Sequence, residues 1–286
     1  MGEERGRAAP GSLRTLGAHA APVAERAWRR LSVAARPFPD FVIIGAQRGG
    51  TTSLYDWLSG HPGVAPASRK EVHYFDLHYG RGPRWYRAHF PVRRPGLITG
   101  EATPYLLFHP LAPERVARDL PARTRFVAVL RDPVQRAVSH YWHERRLKAE
   151  TEPLDRALAL EEGRLAGSAE RVLRGEPSYA HLHFAYAARG RYAEQLQRWY
   201  AHVARDRILV VESEQLFADP AAPGRVARWL GLGEHGAPFP SLNDARRADG
   251  TDPAVLASLR RYFAPYNEEL FALLGTRLWE GEAAAR

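Results

Sequence analysis

The chain contains no cysteine and a single methionine among its 286 residues. The lack of cysteine excludes disulfides, thiolate zinc sites and cysteine nucleophiles. Lysine is nearly absent, since it occurs only at Lys70 and Lys148, so almost all of the positive charge is arginine. No stretch approaches the roughly eighteen consecutive apolar residues of a membrane-spanning helix. The sequence therefore predicts no transmembrane segment.

The positive charge that remains is nevertheless large, with a formal net charge of +9 and a pI near 10.1. Such a balance points to anionic partners: a nucleotide, an acidic glycan, nucleic acid or a membrane surface. The arginine content looks like a general bias of composition, the basic residues are dispersed, and no base-stacking motif stands out. We therefore expect no nucleic acid partner.

Length and composition predict one sizeable α/β domain, because 45% of the residues are hydrophobic and seven are tryptophan. Residues 1–37 are rich in Arg, Ala, Gly and Pro and lack the apolar core of a secretory signal. They are expected to form a mostly disordered basic arm, helical over 23–35, for which weak peripheral membrane contact is left open. The remaining expectations are a domain over 38–280, a flexible tail over 281–286 and a cytoplasmic location.

Apolar runs alternate with segments of helical spacing, which predicts a central parallel β-sheet flanked by helices on both faces. The predicted strands are 41–44, 97–101, 124–130 and 208–212. The first predicted helix begins at 51–53, after a loop that follows the first strand. The other predicted helices are 83–90, 113–120, 134–148, parts of 153–188, 191–204, 215–217, 222–230 and 253–274.

The first strand leads into a glycine-rich loop, Gly45-Ala46-Gln47-Arg48-Gly49-Gly50, followed by Thr51-Thr52-Ser53 at the start of a helix. This arrangement directs backbone N–H groups and a helix N-terminus at one spot, which suits a phosphate. Gly45 and Gly50 have the spacing of a P-loop, but Thr51 replaces its lysine and the basic residue is Arg48 instead. An ordinary strand–helix turn is the alternative.

Two further segments concentrate charged groups. Lys70, Glu71 and His73 lie together in a short segment that ends in aromatic residues, and a solvated surface turn is the alternative interpretation. Arg131 follows a buried strand, and Ser139 lies on the next helix. They can converge on one anion at the carboxyl edge of a parallel sheet; for Arg131, the alternative is a salt bridge to Asp132 or a bond to a helix carbonyl.

Four motifs occur in a fixed order: the loop, Lys70-Glu71-Val72-His73-Tyr74-Phe75-Asp76, Glu101-Ala102-Thr103-Pro104-Tyr105, and Val129-Leu130-Arg131-Asp132-Pro133 with Ser139. Together they resemble the PAPS-dependent sulfotransferases, specifically the sulfotransferase domains of heparan sulfate N- and 3-O-sulfotransferases and their bacterial relatives. The resemblance covers about residues 40–275. It implies a P-loop-like fold and an EC 2.8.2 type of transferase.

The resemblance also implies roles for individual residues. PAPS would be the co-substrate and PAP the product, with no metal. Glu71 would be the general base, with His73 as the alternative, and Arg48 would stand at the family's catalytic lysine. The residues implied to bind the nucleotide are Arg48, Gly49, Gly50, Thr51, Thr52 and Ser53 at the 5′ end, Arg131 and Ser139 at the 3′-phosphate, and Arg246 and Arg247 in a late loop that closes over it.

The chain departs from the family pattern at several positions. Arginine at position 48 cannot give up a proton as lysine can, Ala102 replaces a lysine of the animal enzymes, and the late loop lacks its glycine and its disulfide. These departures leave the acceptor open between a carbohydrate and another small molecule, and between O- and N-sulfation. Oligomeric state stays open. The alternatives in function are a small-molecule kinase and a non-catalytic anion-binding or nucleic-acid-binding module.

Overall fold

The structure, a computed structural model, describes residues 23–240 and 250–279. Its strands there are β1 (Phe41–Gly45), β2 (Gly100–Ala102), β3 (Arg125–Leu130) and β4 (Ile208–Glu212). They form one sheet in the order β2-β1-β3-β4, and every neighbouring pair is parallel. Because parallel strands need crossovers, the helices between them cover the faces of the sheet.

The helices fall into an N-terminal and a C-terminal set. The first set is α1 (Val23–Leu31), α2 (Thr51–Ser59), α3 (Gly82–Arg87), α4 (Ala112–Asp119), α5 (Pro133–Arg146) and α6 (Leu154–Leu165). The second set is α7 (Ser168–Leu173), α8 (Tyr179–His183), α9 (Tyr192–Tyr200), α10 (Ser213–Ala218), α11 (Ala222–Trp229) and α12 (Pro253–Leu274). The bounds predicted for the last helix are confirmed.

Both faces of the sheet are buried, as the uninterrupted apolar sequence of β1 predicts. Val42 and Ile44 point to one face and belong to a core cluster with residues of α3, α4, α9 and α12. Phe41 and Ile43 point to the other and belong to a cluster with residues of α2, α10 and α11. The predicted fold class, a P-loop-like parallel sheet with helices on both faces, is confirmed.

The strand predicted over 97–101 is wrong in its bounds, because β2 begins only at Gly100. Ile98 instead forms an isolated parallel bridge with Val64. Thr99 pairs with the side chain of Asp40, whose carboxylate accepts its N–H at 3.0 Å. The carbonyl of Thr99 accepts from the N–H groups of Asp40 at 2.7 Å and Phe41 at 3.3 Å, so the chain before Gly100 runs beside the start of β1 without being part of β2.

The segment predicted as helical over 153–188 consists of three short helices, α6, α7 and α8. Gly167 separates the first two with φ of 70°, and Gly175 separates the next pair with φ of 79°. These left-handed backbone conformations end helices and suit glycine. The segment therefore consists of separate helices joined by turns and not of one continuous helix.

The helix predicted over 23–35 is present as α1 followed by a 3₁₀ helix at Ser32–Ala35. Arg87 of α3 holds this segment by donating to the carbonyls of Arg36 at 2.8 Å and Ala34 at 3.1 Å. Across the part of the chain that the structure describes, no helix is both long and apolar enough to cross a bilayer.

Candidate active site

The glycine-rich loop between β1 and α2 is anchored on the neighbouring strand β3. The N–H of Ala46 donates to the carbonyl of Val129 at 2.7 Å, and the N–H of Gly49 donates to the carbonyl of Ala46 at 2.9 Å. A Cβ on Gly49 would lie 2.4 Å from the oxygen of Val129, and Gly50 has φ of 92°. Both glycines are therefore required by the turn itself.

The N-terminus of α2 opens at the end of this loop, and no side chain caps it. The first N–H groups of a helix lack partners within the helix and carry the positive end of its dipole. Thr51 and Ser53 are buried against the core while Thr52 faces outward. The residues predicted to bind a phosphate thus form a short cradle of backbone donors.

The structure brings Arg48, Ser139 and Arg131 together beside this cradle. The Nε of Arg48 donates to the hydroxyl of Ser139 at 3.0 Å, and Nη1 of Arg131 reaches the carbonyl of Arg48 at 3.4 Å. Ser139 lies on α5, whose start is set by Pro133 and by the Asp132 carboxylate, which accepts the N–H of Gln135 at 2.8 Å. The structure therefore brings Arg48, Ser139 and Arg131 together at the carboxyl ends of β1 and β3, and the binding of one anion by Arg131 and Ser139 stays a prediction.

Glu71 faces the cradle across a single lysine. The ammonium of Lys70 donates to the hydroxyl of Thr52 at 2.8 Å and lies 3.0 Å from Oε1 of Glu71. The other carboxylate oxygen, Oε2, lies 3.3 Å from Nε2 of His73. Because 41% of the Glu71 side chain is exposed, this carboxylate remains open to a molecule in solution.

The backbone around Glu71 is held in an uncommon conformation. Arg48, Glu71 and His73 have φ of 68°, 58° and 57°, three of the five positive values at non-glycine residues in the described ranges. Left-handed backbone is disfavoured for residues with a Cβ and persists where surrounding contacts enforce it. Here the N–H of Glu71 donates to the carbonyl of Ala102 at 3.0 Å.

Asp76 completes a chain of charges that the sequence analysis did not assign. Its carboxylate is fully buried and accepts from Nδ1 of His73 at 2.7 Å. Burial alone would lower the pKa of His73, but the hydrogen bonds and charges of Asp76 and Glu71 outweigh it and raise the pKa to about 10. His73 is consequently an imidazolium at neutral pH.

The same contacts act in the opposite direction on Glu71. Burial alone would raise the pKa of this carboxyl, but hydrogen bonds from His73 and Lys70, together with their charges, lower it to about 2. Glu71 is therefore ionised at neutral pH and has a lone pair with which to accept a proton. His73, already protonated, has none.

A second carboxylate, Glu101, supports this segment from below. It is fully buried and accepts from the hydroxyls of Tyr86 and Thr103, each at 2.7 Å, and from the N–H of Val72 at 3.2 Å. Burial raises the pKa of Glu101, and these hydrogen bonds oppose that rise. Because Val72 lies between Glu71 and His73, this bond fixes the residues that present the charges.

The buried Arg189 joins the loop to a distant part of the chain, and no sequence motif pointed to it. Its guanidinium donates to the side chain of Gln47 in the loop and to the carbonyls of His181 and Leu182 at 2.9 and 2.8 Å. It also lies over the ring of Tyr105, 4.8 Å from the centroid. The predicted nucleotide-binding residues Arg246 and Arg247 lie outside the described residues.

Comparisons with known proteins agree with this geometry. The family model described as "Sulfotransferase domain" matches residues 38–235. The mouse protein heparan sulfate glucosamine 3-O-sulfotransferase 6 is 32% identical over 269 residues, which cover 84% of this chain and 73% of that protein. Human heparan sulfate glucosamine 3-O-sulfotransferase 3A1 is 30% identical over 277 residues, 88% of this chain but only 64% of the human protein, so the match spans less than two thirds of that relative.

Among solved structures, a sulfotransferase from Alicyclobacillus acidocaldarius is similar over nearly its whole length. The two chains are 28% identical and superpose with a TM-score of 0.69, covering 84% of this chain and 97% of that chain. The similarity thus extends over most of this chain and nearly all of that one.

Proposed function

Since this chain belongs to the sulfotransferase family, we propose that it moves a sulfuryl group from PAPS to a hydroxyl or amino group of a carbohydrate or other small molecule. It is a transferase of the EC 2.8.2 type. The observation that carries the proposal is the position of Lys70, whose ammonium contacts Thr52 of the donor cradle and the carboxylate of Glu71. The cradle and the Glu71 carboxylate thus lie on either side of one cation, which supports the proposal.

The cradle fits the nucleotide end of PAPS. The uncapped N-terminus of α2 offers backbone donors to the 5′-phosphate. Arg131 and Ser139, which approach Arg48 from β3 and α5, suit a second phosphate on the ribose. A planar guanidinium offers several donors to phosphate oxygens, which favours recognition of a doubly phosphorylated nucleotide.

The transfer itself needs a base and a stabiliser of the leaving group. The acceptor oxygen or nitrogen forms a bond to sulfur while the bond between sulfur and the 5′-phosphate oxygen breaks, and the acceptor proton passes to Glu71. Negative charge grows on the departing PAP, where Arg48 and the loop N–H groups can stabilise it by about 3 kcal/mol, the effect of one oxyanion-hole donor. The ionised state of Glu71 at neutral pH and the protonated state of His73 support Glu71 as the base.

Calorimetric titration tests the donor. Adenosine 3′,5′-bisphosphate is expected to bind tightly without metal, and ATP with Mg²⁺ is expected to bind weakly. Preference for Mg-ATP would contradict the proposal and favour the small-molecule kinase. Binding of neither nucleotide would mean that the loop is an ordinary strand–helix turn.

Replacing Glu71 by glutamine tests the base. The Glu71→Gln variant is expected to bind the bisphosphate as the parent does and to lose 10²- to 10⁴-fold in turnover, the usual contribution of a general base. Glu114→Gln is the matched control, because Glu114 is an exposed carboxylate on α4. Near-normal turnover of the Glu71 variant would assign the proton transfer to another group.

A further inference from the structure

Two segments of the chain carry positive charge and no negative charge. Residues 26–39 contain four arginines and residues 77–100 contain five, and neither of these two basic segments has an aspartate or a glutamate. Their combined charge equals the formal net charge of +9 of the whole protein, since the remaining residues contain 32 basic and 32 acidic side chains. The excess of positive charge is therefore local, although arginine occurs along the whole chain.

The structure packs the two basic segments against each other. Besides the bonds that Arg87 donates to the first segment, Nη1 of Arg36 donates to the carbonyl of Phe90. The N–H of Arg93 donates to the carbonyl of Ala35 at 3.0 Å. Because the acceptors are carbonyls, which have no net charge, these contacts join the segments without neutralising the guanidinium groups.

Several arginines of the joined segments face solvent. Four of them are exposed, and across the described ranges none of the four forms an ion pair; they are Arg30, Arg84, Arg93 and Arg94. Burial and the positive charges of neighbouring arginines, some from each segment, lower the pKa of His89 to about 4. An anionic surface would thus meet several cations at once.

Large apolar side chains are exposed beside these cations. Trp28 and Leu31 lie three residues apart on one side of α1 and are 61% and 81% exposed. Val92 is also exposed, next to Arg93. A soluble polyanion would contact the arginines and leave these side chains in water, whereas a bilayer offers anionic headgroups together with an apolar region beneath them.

We propose that the two basic segments dock on the surface of a bilayer that contains anionic lipids. The arginines contact lipid phosphates, for which a planar guanidinium with several donors is suited, and Trp28 and Leu31 enter the headgroup region. None of the residues proposed to bind the nucleotide belongs to these segments, so the docking surface does not depend on the proposed function. Because its attraction is largely between charges, the association is reversible and sensitive to salt.

Vesicle flotation with the full chain tests the docking. The probes are vesicles of phosphatidylcholine alone and vesicles in which about one third of the lipid is phosphatidylglycerol. We expect the partition coefficient to be at least tenfold higher for the anionic vesicles at low salt, and to fall at least tenfold in molar salt, where charges are screened. Equal partition into both vesicles, or partition that salt does not weaken, would overturn the proposal.

Arginine variants test whether these segments form the surface. The triple variant Arg30→Gln, Arg93→Gln, Arg94→Gln is expected to bind the anionic vesicles at least tenfold more weakly than the parent. The matched control removes the same number of exposed charges outside the segments, at Arg228, Arg260 and Arg261, and should bind nearly as the parent does. Equal losses in the two triple variants would mean that only the net charge matters and would overturn the assignment.

Substitution of the apolar side chains distinguishes a bilayer from a soluble polyanion. The double variant Trp28→Ser, Leu31→Ser should bind the anionic vesicles at least tenfold more weakly. Its matched control is Leu147→Ser with Leu173→Ser, because these leucines are 57% and 55% exposed and lie outside the basic segments. Unchanged binding of the Trp28 and Leu31 variant would overturn the proposal and indicate a soluble polyanion as the partner.

Discussion

Replacing Asp76 by asparagine removes one charge from the active site while preserving the size of the side chain. Asp76 is buried and holds Nδ1 of His73 at 2.7 Å, and His73 in turn faces the Glu71 carboxylate at 3.3 Å. Asparagine can accept the same hydrogen bond but supplies no negative charge. The variant therefore tests whether the imidazolium is needed to hold Glu71 in place.

The structure sets the size of the effect. The rise in the pKa of His73 from 6.5 to about 10 corresponds to about 5 kcal/mol in favour of the imidazolium. Asp76 is the largest contributor to that rise, so its loss should remove part of these roughly 5 kcal/mol. Deprotonation of His73 would then move toward neutral pH.

The sign of the pH dependence follows from the contact. Above the pKa of His73, Nε2 carries a lone pair that repels the Glu71 carboxylate, so turnover should fall as pH rises through that pKa. The parent should keep its turnover until about pH 10, whereas Asp76→Asn should lose it at a lower pH. The stability that the raised pKa contributes is present below pH 6.5 and is lost as pH rises through about 10.

The assay is PAP release at saturating PAPS between pH 6 and pH 10.5. Asp119→Asn is the matched control, because Asp119 is a mostly buried carboxylate that accepts from Tyr74 at 2.9 Å and from Tyr79 at 3.1 Å. In the Asp119→Asn variant, turnover should fall at the same alkaline pH as in the parent. An Asp76→Asn profile that coincides with the parental one would refute the role of the imidazolium.

Three further outcomes are expected. Arg131→Ala should weaken calorimetric binding of adenosine 3′,5′-bisphosphate at least tenfold but not of 5′-AMP, and equal losses would make Arg131 structural. Because Arg189 holds Gln47 in the loop, Arg189→Met and Gln47→Leu should both raise KM for PAPS more than they lower kcat; a fall in kcat alone would contradict this. Burial raises the pKa of Glu214 from 4.5 to about 7. As pH rises from 4.5 to 7, the unfolding free energy of the parent should therefore fall by up to about 3 kcal/mol relative to that of Glu214→Gln. Urea denaturation at each pH measures this, and an equal pH dependence of unfolding free energy in both proteins would refute it.

Much of the fold could be predicted because local patterns and tertiary contacts agree. The strands β1 and β3 are apolar runs that are almost wholly buried, and β4 is an apolar run at the edge of the sheet that is partly buried. The helix α12 is bounded by an Asp252 cap and Gly275. The beginning of β2 could not be predicted in this way. Ile98 and Thr99 have strand propensity, yet their partners, Val64 and Asp40, are distant in sequence.

The candidate site was predictable where its residues are neighbours in the chain. The loop up to Ser53 and the pair Glu71–His73 stand in short motifs, so the order and spacing of residues in the sequence indicated them. The contact of Asp76 with His73 lies in a turn where His73 has φ of 57°, and no residue type there indicates that conformation. Arg189 donates to Gln47 from a helical segment far away in the sequence. No motif or spacing in the sequence indicates that contact.

The scarcity of lysine acquires a practical meaning once Lys70 is located. Reagents that acylate side-chain amines have two targets in this chain, Lys70 and Lys148. The first has 24% of its side chain exposed and lies between Thr52 and Glu71, whereas the second is on the surface. Mass spectrometry of the two labelled peptides thus provides an internal ratio, in which labelling of Lys148 measures the reagent and labelling of Lys70 measures whether the cradle beside Thr52 is covered.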